Sequence, residues 1–273
     1  MIDYITNETC IIFDPKYDKL LDPELNIQTQ YKKIIFSNYK LSNELFEAYE
    51  NDNWQKFYYT GSKFNQPLAN SLNNCTALTH IQFGYCFNCH LSNSLDNCIA
   101  LTHIQFGFYF NQPLDNLLDN CTSLTHISFG SRFNQPLHNS FDNCTALTHI
   151  GIGYNFNQKL ELPFNIKSLS LDSNNMNYTD HLSDNIEEIE LGLHFNLELD
   201  NLPSSIKKII FDKWSKYNKK LNCLPNGLLT LQLPLYYDQQ ISLIPSALSK
   251  LICSENYTFI EDFTGVDVQV ETF

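Results

Sequence analysis

The first regularity along the chain is apolar. A Leu, two residues, an Ile, one residue and a Phe return at a fixed interval, placing Ile81, Ile104, Ile127 and Ile150 in one column 23 residues apart. The Phe-Asn pairs that begin at Phe64, Phe87, Phe110, Phe133 and Phe156 keep the same step. A fixed period of this length marks a solenoid, in which each coil buries its apolar edge against its neighbours. After Ile150 the unit shortens, and Leu169, Ile189, Ile209, Leu231 and Leu251 continue the column at steps of 19, 20, 20, 22 and 20. Upstream, "CIIF" at 10 and "KKIIF" at 32 stand one 23-residue step apart, and "KFYY" at 56 fills the interval before Ile81. The pattern therefore predicts about twelve units, the first three degraded.

Two apolar residues at period two, preceded by one three positions back, form the strand signature of leucine-rich repeats. Ile81 and Phe83 then point inward. Side chains alternate across a strand, so His80 and Gln82 point outward. The same phase turns His103, Gln105, His126, Ser128, His149, Glu188, Glu190 and Lys208 outward. Gly84, Gly107 and Gly130 let the chain leave the strand through a turn. Phe next fills the core, and Asn is placed to hydrogen-bond backbone groups of the next coil, a ladder for polar groups that no sheet reaches. The return segment "NSLDNCTAL" puts Ser or Asn before apolar residues three apart, Leu95 and Cys98, which predicts one turn of α or 3₁₀ helix. In the later half it becomes "LPFNIKSL", "LPSSIKKI", "LPNGLLTL" and "IPSALSKL", and the early Pro predicts an extended or single-turn path.

The predicted fold is thus a β-rich α/β solenoid: a right-handed, leucine-rich-repeat-like coil with a curved parallel sheet on its concave face. As a single solenoid over 1–273 it divides into degraded N-terminal repeats and cap (1–55), 23-residue repeats (56–160), repeats of about 20 residues (161–255) and a C-terminal cap (256–273). In that cap "VDVQV" reads as a strand whose flanking acids oppose edge pairing.

Composition narrows the partners. The formal charge is −13, with 30 acidic against 17 basic residues, which disfavours a phosphate-backbone ligand or an anionic membrane. No apolar run approaches the roughly 20 residues needed to span a bilayer, and "MIDYITNETC" lacks the basic flank and apolar stretch of a leader. The expected location is intracellular. Cys75, Cys98, Cys121 and Cys144 recur every 23 residues, which implies one structural slot for a small apolar side chain, with an oxidised ladder between stacked neighbours as the alternative. "CFNCH" at 86 matches the string of c-type haem attachment. Read in register, Cys89 stands where sister units carry Gln66, Gln112 and Gln135, and His90 where they carry Pro, so the string is a repeat variant and no haem is expected.

The segments "FNQPL" and "LPSSIKKI" resemble the FNIP repeats, a leucine-rich-repeat subclass abundant in social amoebae and in giant viruses of amoebae. "SFDNCTALTHI" is similar to the BspA-type leucine-rich repeats of surface antigens. Together the resemblances cover roughly residues 55–255 and imply a viral or amoebal protein, within the host cytoplasm if viral. In several members such repeats follow an F-box, which implies substrate recognition in ubiquitin ligation; no F-box is evident in residues 1–55.

The histidine column His80, His103, His126 and His149 is the strongest chemical feature. A straight row offers a metal two nitrogens at a time, short of the three or four that a zinc site needs. Neighbouring imidazolium charges about 5 Å apart in water repel by about 0.8 kcal/mol, so a pH-responsive stripe near pH 6 is a further reading. Glu188 and Glu190, two apart on one strand, read as a solvated acidic patch rather than an acid/base pair, since no third group is fixed beside them. No nucleophile triad, phosphate-cradling loop or HExxH string occurs. The expectation is a non-enzymatic scaffold without cofactor or metal, monomeric or weakly self-associating, that binds a protein through His80, Gln82, His103, Gln105, His126, Ser128, His149, Glu188, Glu190 and Lys208. A structural component that stacks into a particle is the alternative, and ubiquitin-ligase recruitment a third.

Overall fold

The computed structural model describes residues 3–21, 31–51, 61–68, 71–72, 74–173, 182–263 and 267–273, grouped in two compact units, Met1–Leu147 and Thr148–Phe273. The first unit holds strands β1 (Tyr4–Thr6), β2 (Cys10–Phe13), β3 (Lys33–Phe36), β4 (His80–Gln82), β5 (His103–Gln105) and β6 (His126–Ser128), with helix α1 (Leu45–Asn51) between β3 and β4. From β2 to β6 the strands pair in parallel in chain order, and β1 folds back antiparallel on β2. Register is strict: His80 opposes His103, His103 opposes His126, and Ile81, Ile104 and Ile127 form one buried row.

On β4 to β6 a glycine, Gly84, Gly107 or Gly130, ends the inward run. A Cβ on Gly107 would land on the carbonyl of Gly84, one on Gly130 would land on the carbonyl of Gly107, and one on Gly84 would meet the side chain of Ser62. The coils therefore touch backbone to backbone at the strand exit, and only glycine fits there. Just beyond, phenylalanines stack from coil to coil: Phe64 to Phe87 at 5.8 Å, Phe87 to Phe110 at 6.1 Å and Phe110 to Phe133 at 6.0 Å between ring centroids. The Phe just after each of β4, β5 and β6 closes on the first, with Phe83–Phe87 at 4.2 Å, Phe106–Phe110 at 3.9 Å and Phe129–Phe133 at 4.1 Å. Burying each such ring stabilises the fold by about 1.5–3 kcal/mol relative to exposure.

The expected Asn ladder is present. Asn88, Asn111 and Asn134 each donate a backbone N–H, at 2.8 Å, to the side-chain oxygen of Asn65, Asn88 and Asn111 respectively. Gln112 and Gln135 add their amides to the same oxygens at 3.1 Å. The ladder starts at Asp18, whose carboxylate accepts from Asn65 N at 3.0 Å. Cys89 occupies the Gln slot and donates its thiol to Asn65 O at 3.2 Å, while His90 Nδ1 pairs with Ser92 Oγ at 2.6 Å. The haem-like string is thereby absorbed into the repeat.

One expectation is corrected. The return segments are not a helical turn but successive tight turns, as in Ser94 N to Leu91 O and Cys98 N to Leu95 O. They are bent at Asn93, Asn116 and Asn139, whose φ angles of 56°, 55° and 59° are left-handed. Asn tolerates this region because its short polar side chain relieves it. The "KFYY" stretch at 56 lies outside the described residues; β3 pairs with β4 directly. The intervening chain carries α1. Leu45 joins Cys10, Ile12 and Ile35 in a buried cluster, with Ile5, Tyr39, Leu41, Phe46 and Tyr49 against it. On β2 and β3, therefore, the face turned outward elsewhere is roofed by a helix.

The second unit holds β7 (His149–Ile152), β8 (Ser168–Leu171), β9 (Glu188–Leu191), β10 (Lys208–Phe211), β11 (Thr230–Gln232), β12 (Lys250–Cys253) and β13 (Gln269–Thr272), all parallel in chain order. Its returns are single turns closed onto proline carbonyls, as in Ile206 N to Pro203 O and Leu228 N to Pro225 O. The core Phe column turns into Tyr217, Tyr237 and Tyr257, and the tighter coil brings carbonyls within reach of the hydroxyls. Tyr237 donates to Lys219 O at 3.1 Å and Tyr257 to Gln239 O at 2.8 Å, whereas the buried Tyr217 hydroxyl has no partner among the described residues. The strand expected at "VDVQV" lies a little later, at β13, which pairs with β12 through Gln269–Thr272.

These contacts set a stability comparison. Gly107→Ala should lower the urea-unfolding free energy by more than about 2 kcal/mol, because backbone must move to admit the methyl group. Asn116→Val should lower it by about 1–2 kcal/mol, whereas Asn116→Gly, free to adopt the left-handed turn, should change it little.

Candidate functional site

The threonine before each histidine determines what the histidine column presents. Thr79 Oγ1 donates to Lys32 O, Thr102 Oγ1 to Thr79 O and Thr125 Oγ1 to Thr102 O, each at 3.0 Å. A hydroxyl has one proton, so the same oxygens can only accept from the imidazoles beside them. Those contacts are Thr79 to His80 Nδ1, Thr102 to His103 Nδ1 and Thr125 to His126 Nδ1, all at 2.8 Å. The neutral rings are thus fixed as the Nδ1–H tautomer, with the lone pair on Nε2. Locked in this way, the rings stack: His80 on His103 at 4.2 Å and 9°, His103 on His126 at 4.2 Å and 11°.

Protonation opposes this arrangement. Burial foremost, then the charges of Lys33 and His126, holds the His80 imidazole below the ordinary value of 6.5. Parallel rings also hold their nitrogen lone pairs parallel, so adjacent imidazoles do not converge on one ion. Among the described residues no three His, Cys, Asp or Glu side chains are placed to hold a metal.

All ten residues expected to face outward do so, half-buried or exposed, while their strand neighbours are buried. In the first unit the register joins His80, His103 and His126 in one row and Gln82, Gln105 and Ser128 in the next. In the second unit, His149 Nδ1 meets Thr148 Oγ1 at 2.8 Å and opposes Ser168. Glu188 pairs with Lys208 at 3.4 Å, and Glu190 has no ion pair among the described residues. One position earlier a Lys-Glu-Lys ladder takes the place of the threonines: Glu187 accepts from Lys207 at 2.7 Å and lies 3.7 Å from Lys167. The Lys207 hydrogen bond and charge lower the Glu187 carboxyl from its ordinary value.

The reading from sequence missed two features. The threonine lock was signalled by the invariant Thr-His pair in each 23-residue unit. The other is an aromatic cluster at the strand exits, where Tyr85 stacks on Phe108 at 4.8 Å and meets Tyr109 edge-on at 5.2 Å. The Arg132 guanidinium lies 5.8 Å from the Phe108 and Tyr109 ring centres. Positions 85, 108 and 109 vary among polar, thiol and aromatic residues from unit to unit, so no column announces them.

The cysteine column is the structural slot expected of it. Cys75, Cys98, Cys121 and Cys144 are buried free thiols, and burial pushes Cys98 and Cys121 up to about 12. Cys98 and Cys144 direct their thiols at carbonyls of the preceding coil, Leu72 O and Leu118 O, at 3.8 Å.

Thiol titration should therefore find Cys86, Cys89 and Cys223 reactive in the native protein and Cys10, Cys75, Cys98, Cys121, Cys144 and Cys253 only after unfolding. A second outcome follows from His80. Its folded pKa is lowered, so the stability tied to its neutral form is present above the unfolded pKa and is lost as pH falls through the folded one. Wild type should lose stability relative to His80→Gln as pH falls below about 6.5, read by urea unfolding at a series of pH values.

No family model and no curated protein matches the chain. Among solved structures it is similar to a circular leucine-rich-repeat protein of the giant virus CroV, with 25% identity and a TM-score of 0.58 over 94% of this chain and 38% of that one. An internalin of Listeria monocytogenes aligns with 15% identity and a TM-score of 0.42 over 73% of this chain and 70% of that one. The chain thus spans well under half the length of the CroV protein, and it shares with it the leucine-rich-repeat solenoid fold.

Proposed function

We propose that the chain is a non-enzymatic scaffold that binds a partner protein through the outward face of its sheets. The observation that carries this reading is the chain's own use of that face: over β2 and β3 it is buried under α1 through Cys10, Ile12 and Ile35, whereas on β4 to β6 the same rows end in half-exposed or exposed polar side chains. A face that accepts a helix at one end offers a partner the continuation. The imidazole and amide rows of the first unit, and Glu188, Glu190 and Lys208 of the second, give that partner hydrogen-bonding and charged groups. A standard interface of about 800 Å² per partner needs no pocket.

On the finer level, the repeats are of the FNIP and BspA-like kind, and the similarity to a giant-virus protein agrees with a viral origin. Six buried thiols suit a reducing compartment.

The test is an affinity pull-down from host-cell lysate with wild type beside a variant carrying His103→Ala, His126→Ala and Glu188→Ala. A partner captured by wild type and lost by the folded variant is expected. Equal capture by both would move the binding surface elsewhere and end this reading.

A further inference from the structure

The chain has a single arginine, Arg132, against 30 acidic residues. Among the described residues its guanidinium is in no ion pair and makes no side-chain hydrogen bond. It lies 5.8 Å from the ring centres of Phe108 and Tyr109, which the Tyr85 ring meets at 4.8 Å and 5.2 Å respectively. We infer that Arg132 and these three rings anchor a segment of a partner protein in which one carboxylate sits beside an apolar side chain.

The first support is charge. Backbone bonds from Cys86 N to Ser62 O, Tyr109 N to Tyr85 O and Arg132 N to Phe108 O set two columns at the strand exits, residues 63, 86, 109 and 132 and residues 62, 85, 108 and 131. Neither column holds an acid, and the exposed Lys63 starts the first. Asp18, near that start, already gives its carboxylate oxygen to Asn65 N and Gln66 Nε2, each at 3.0 Å. Ring faces attract the guanidinium charge but accept few of its five N–H groups. A carboxylate fits that fork with two parallel hydrogen bonds.

The second support is exposure. Tyr109 is 42% exposed and Arg132 is exposed as well, whereas the residue after each, Phe110 and Phe133, is buried. The core is complete one position further on, and Tyr and Arg at a surface are side chains that dominate protein interfaces. The net charge sets the partner's chemistry. At −13 the chain repels a run of acids, and one arginine falls far short of the dense cations a phosphate backbone needs. A lone carboxylate with an apolar neighbour is the complement that remains. This inference rests on the reading that the chain binds a partner protein, and adds to its polar face an anchor at the strand exits.

Two blocked dipeptides serve as probes, acetyl-Glu-Trp-amide and its neutral isostere acetyl-Gln-Trp-amide. Because the chain has one arginine, a single arginine Nε–H signal in the ¹H–¹⁵N NMR spectrum of the intact protein reports on Arg132. The Glu peptide should shift that signal saturably with a Kd of roughly 1 mM, and should bind about tenfold more tightly than the Gln peptide. Arg132→Gln should bring that ratio to about one, while Tyr109→Ala should weaken both peptides and leave the ratio intact. No shift with the Glu peptide, equal affinity of wild type for the two peptides, or a ratio unchanged in Arg132→Gln overturns the proposal. Inorganic phosphate moving the signal where the Glu peptide does not overturns it too. The wild-type titrations decide the matter even if a variant fails to fold. In the lysate pull-down, a partner lost by the His103, His126 and Glu188 variant but kept by Arg132→Gln, with no binding of the Glu peptide, overturns this proposal and leaves the broader reading in place. Glu-peptide binding at Arg132 with equal capture by wild type and the face variant supports the anchor and overturns the outward-face reading alone.

Discussion

The structure depends on how its backbone polar groups find partners outside the sheet. In the 23-residue units of the first unit the strand is three residues long, so most N–H and C=O groups of a coil lie where no ladder of strands can pair them. An unpaired buried polar group costs about as much as a lost hydrogen bond, and a stack of coils multiplies that cost. The chain meets it by repeating the same side chain at the same height. Asn65, Asn88 and Asn111 each accept a backbone N–H from the coil that follows, and Thr79, Thr102 and Thr125 each donate to a carbonyl of the coil before. Such ladders work only when successive coils share one register. The Gly84–Gly107–Gly130 contact, which brings backbone against backbone, enforces that register sterically.

The histidine stack follows from the same constraint. A threonine that must donate to a carbonyl has an oxygen lone pair left over, and the neighbouring imidazole uses it. Ring orientation is then set by backbone geometry rather than by any contact between the rings, and the 4.2 Å stacking repeats because the coils repeat. In the second unit the shorter coil solves the problem with other groups. Buried Tyr237 and Tyr257 reach carbonyls 18 residues back, Asn218 and Asp238 exchange hydrogen bonds, and Lys167, Glu187 and Lys207 replace the threonines. Beyond His149, which Thr148 still holds, that sheet presents charges on flexible stems rather than oriented rings.

This division explains what was legible in the sequence. Anything that recurs in every coil was readable from periodicity: the strands, their inward and outward phase, the Asn ladder and the cysteine slot. The outward placement of His80 through Lys208 came from that phase alone. What occurs once was not readable in the same way. Helix α1 interrupts the repeat, and its signal is a separate local pattern: Leu45, Phe46, Ala48 and Tyr49 spaced for one helical face after Ser42 and Asn43. The β1 hairpin turns on Asn7, whose side chain accepts from Thr9 N and Cys10 N, a feature of a single site. The left-handed Asn93, Asn116 and Asn139 do recur, but their conformation is a backbone property that the letter Asn permits without requiring. The aromatic cluster around Arg132 depends on residues that differ from coil to coil, so it emerges only when the coils are superposed in space.

The threonine lock also separates the two consequences of protonating the stack. If the imidazoles were held by accepting hydrogen bonds, adding a proton would break the ladder, and the face would unfold as it became charged. Here each ring donates through Nδ1 in both protonation states, so the hydrogen-bond geometry of the coils is indifferent to the proton on Nε2. At His80, what resists protonation is burial first and then the charges of Lys33 and His126. The fold therefore supplies a rigid row of oriented rings. That rigidity comes from the threonines and the strand register.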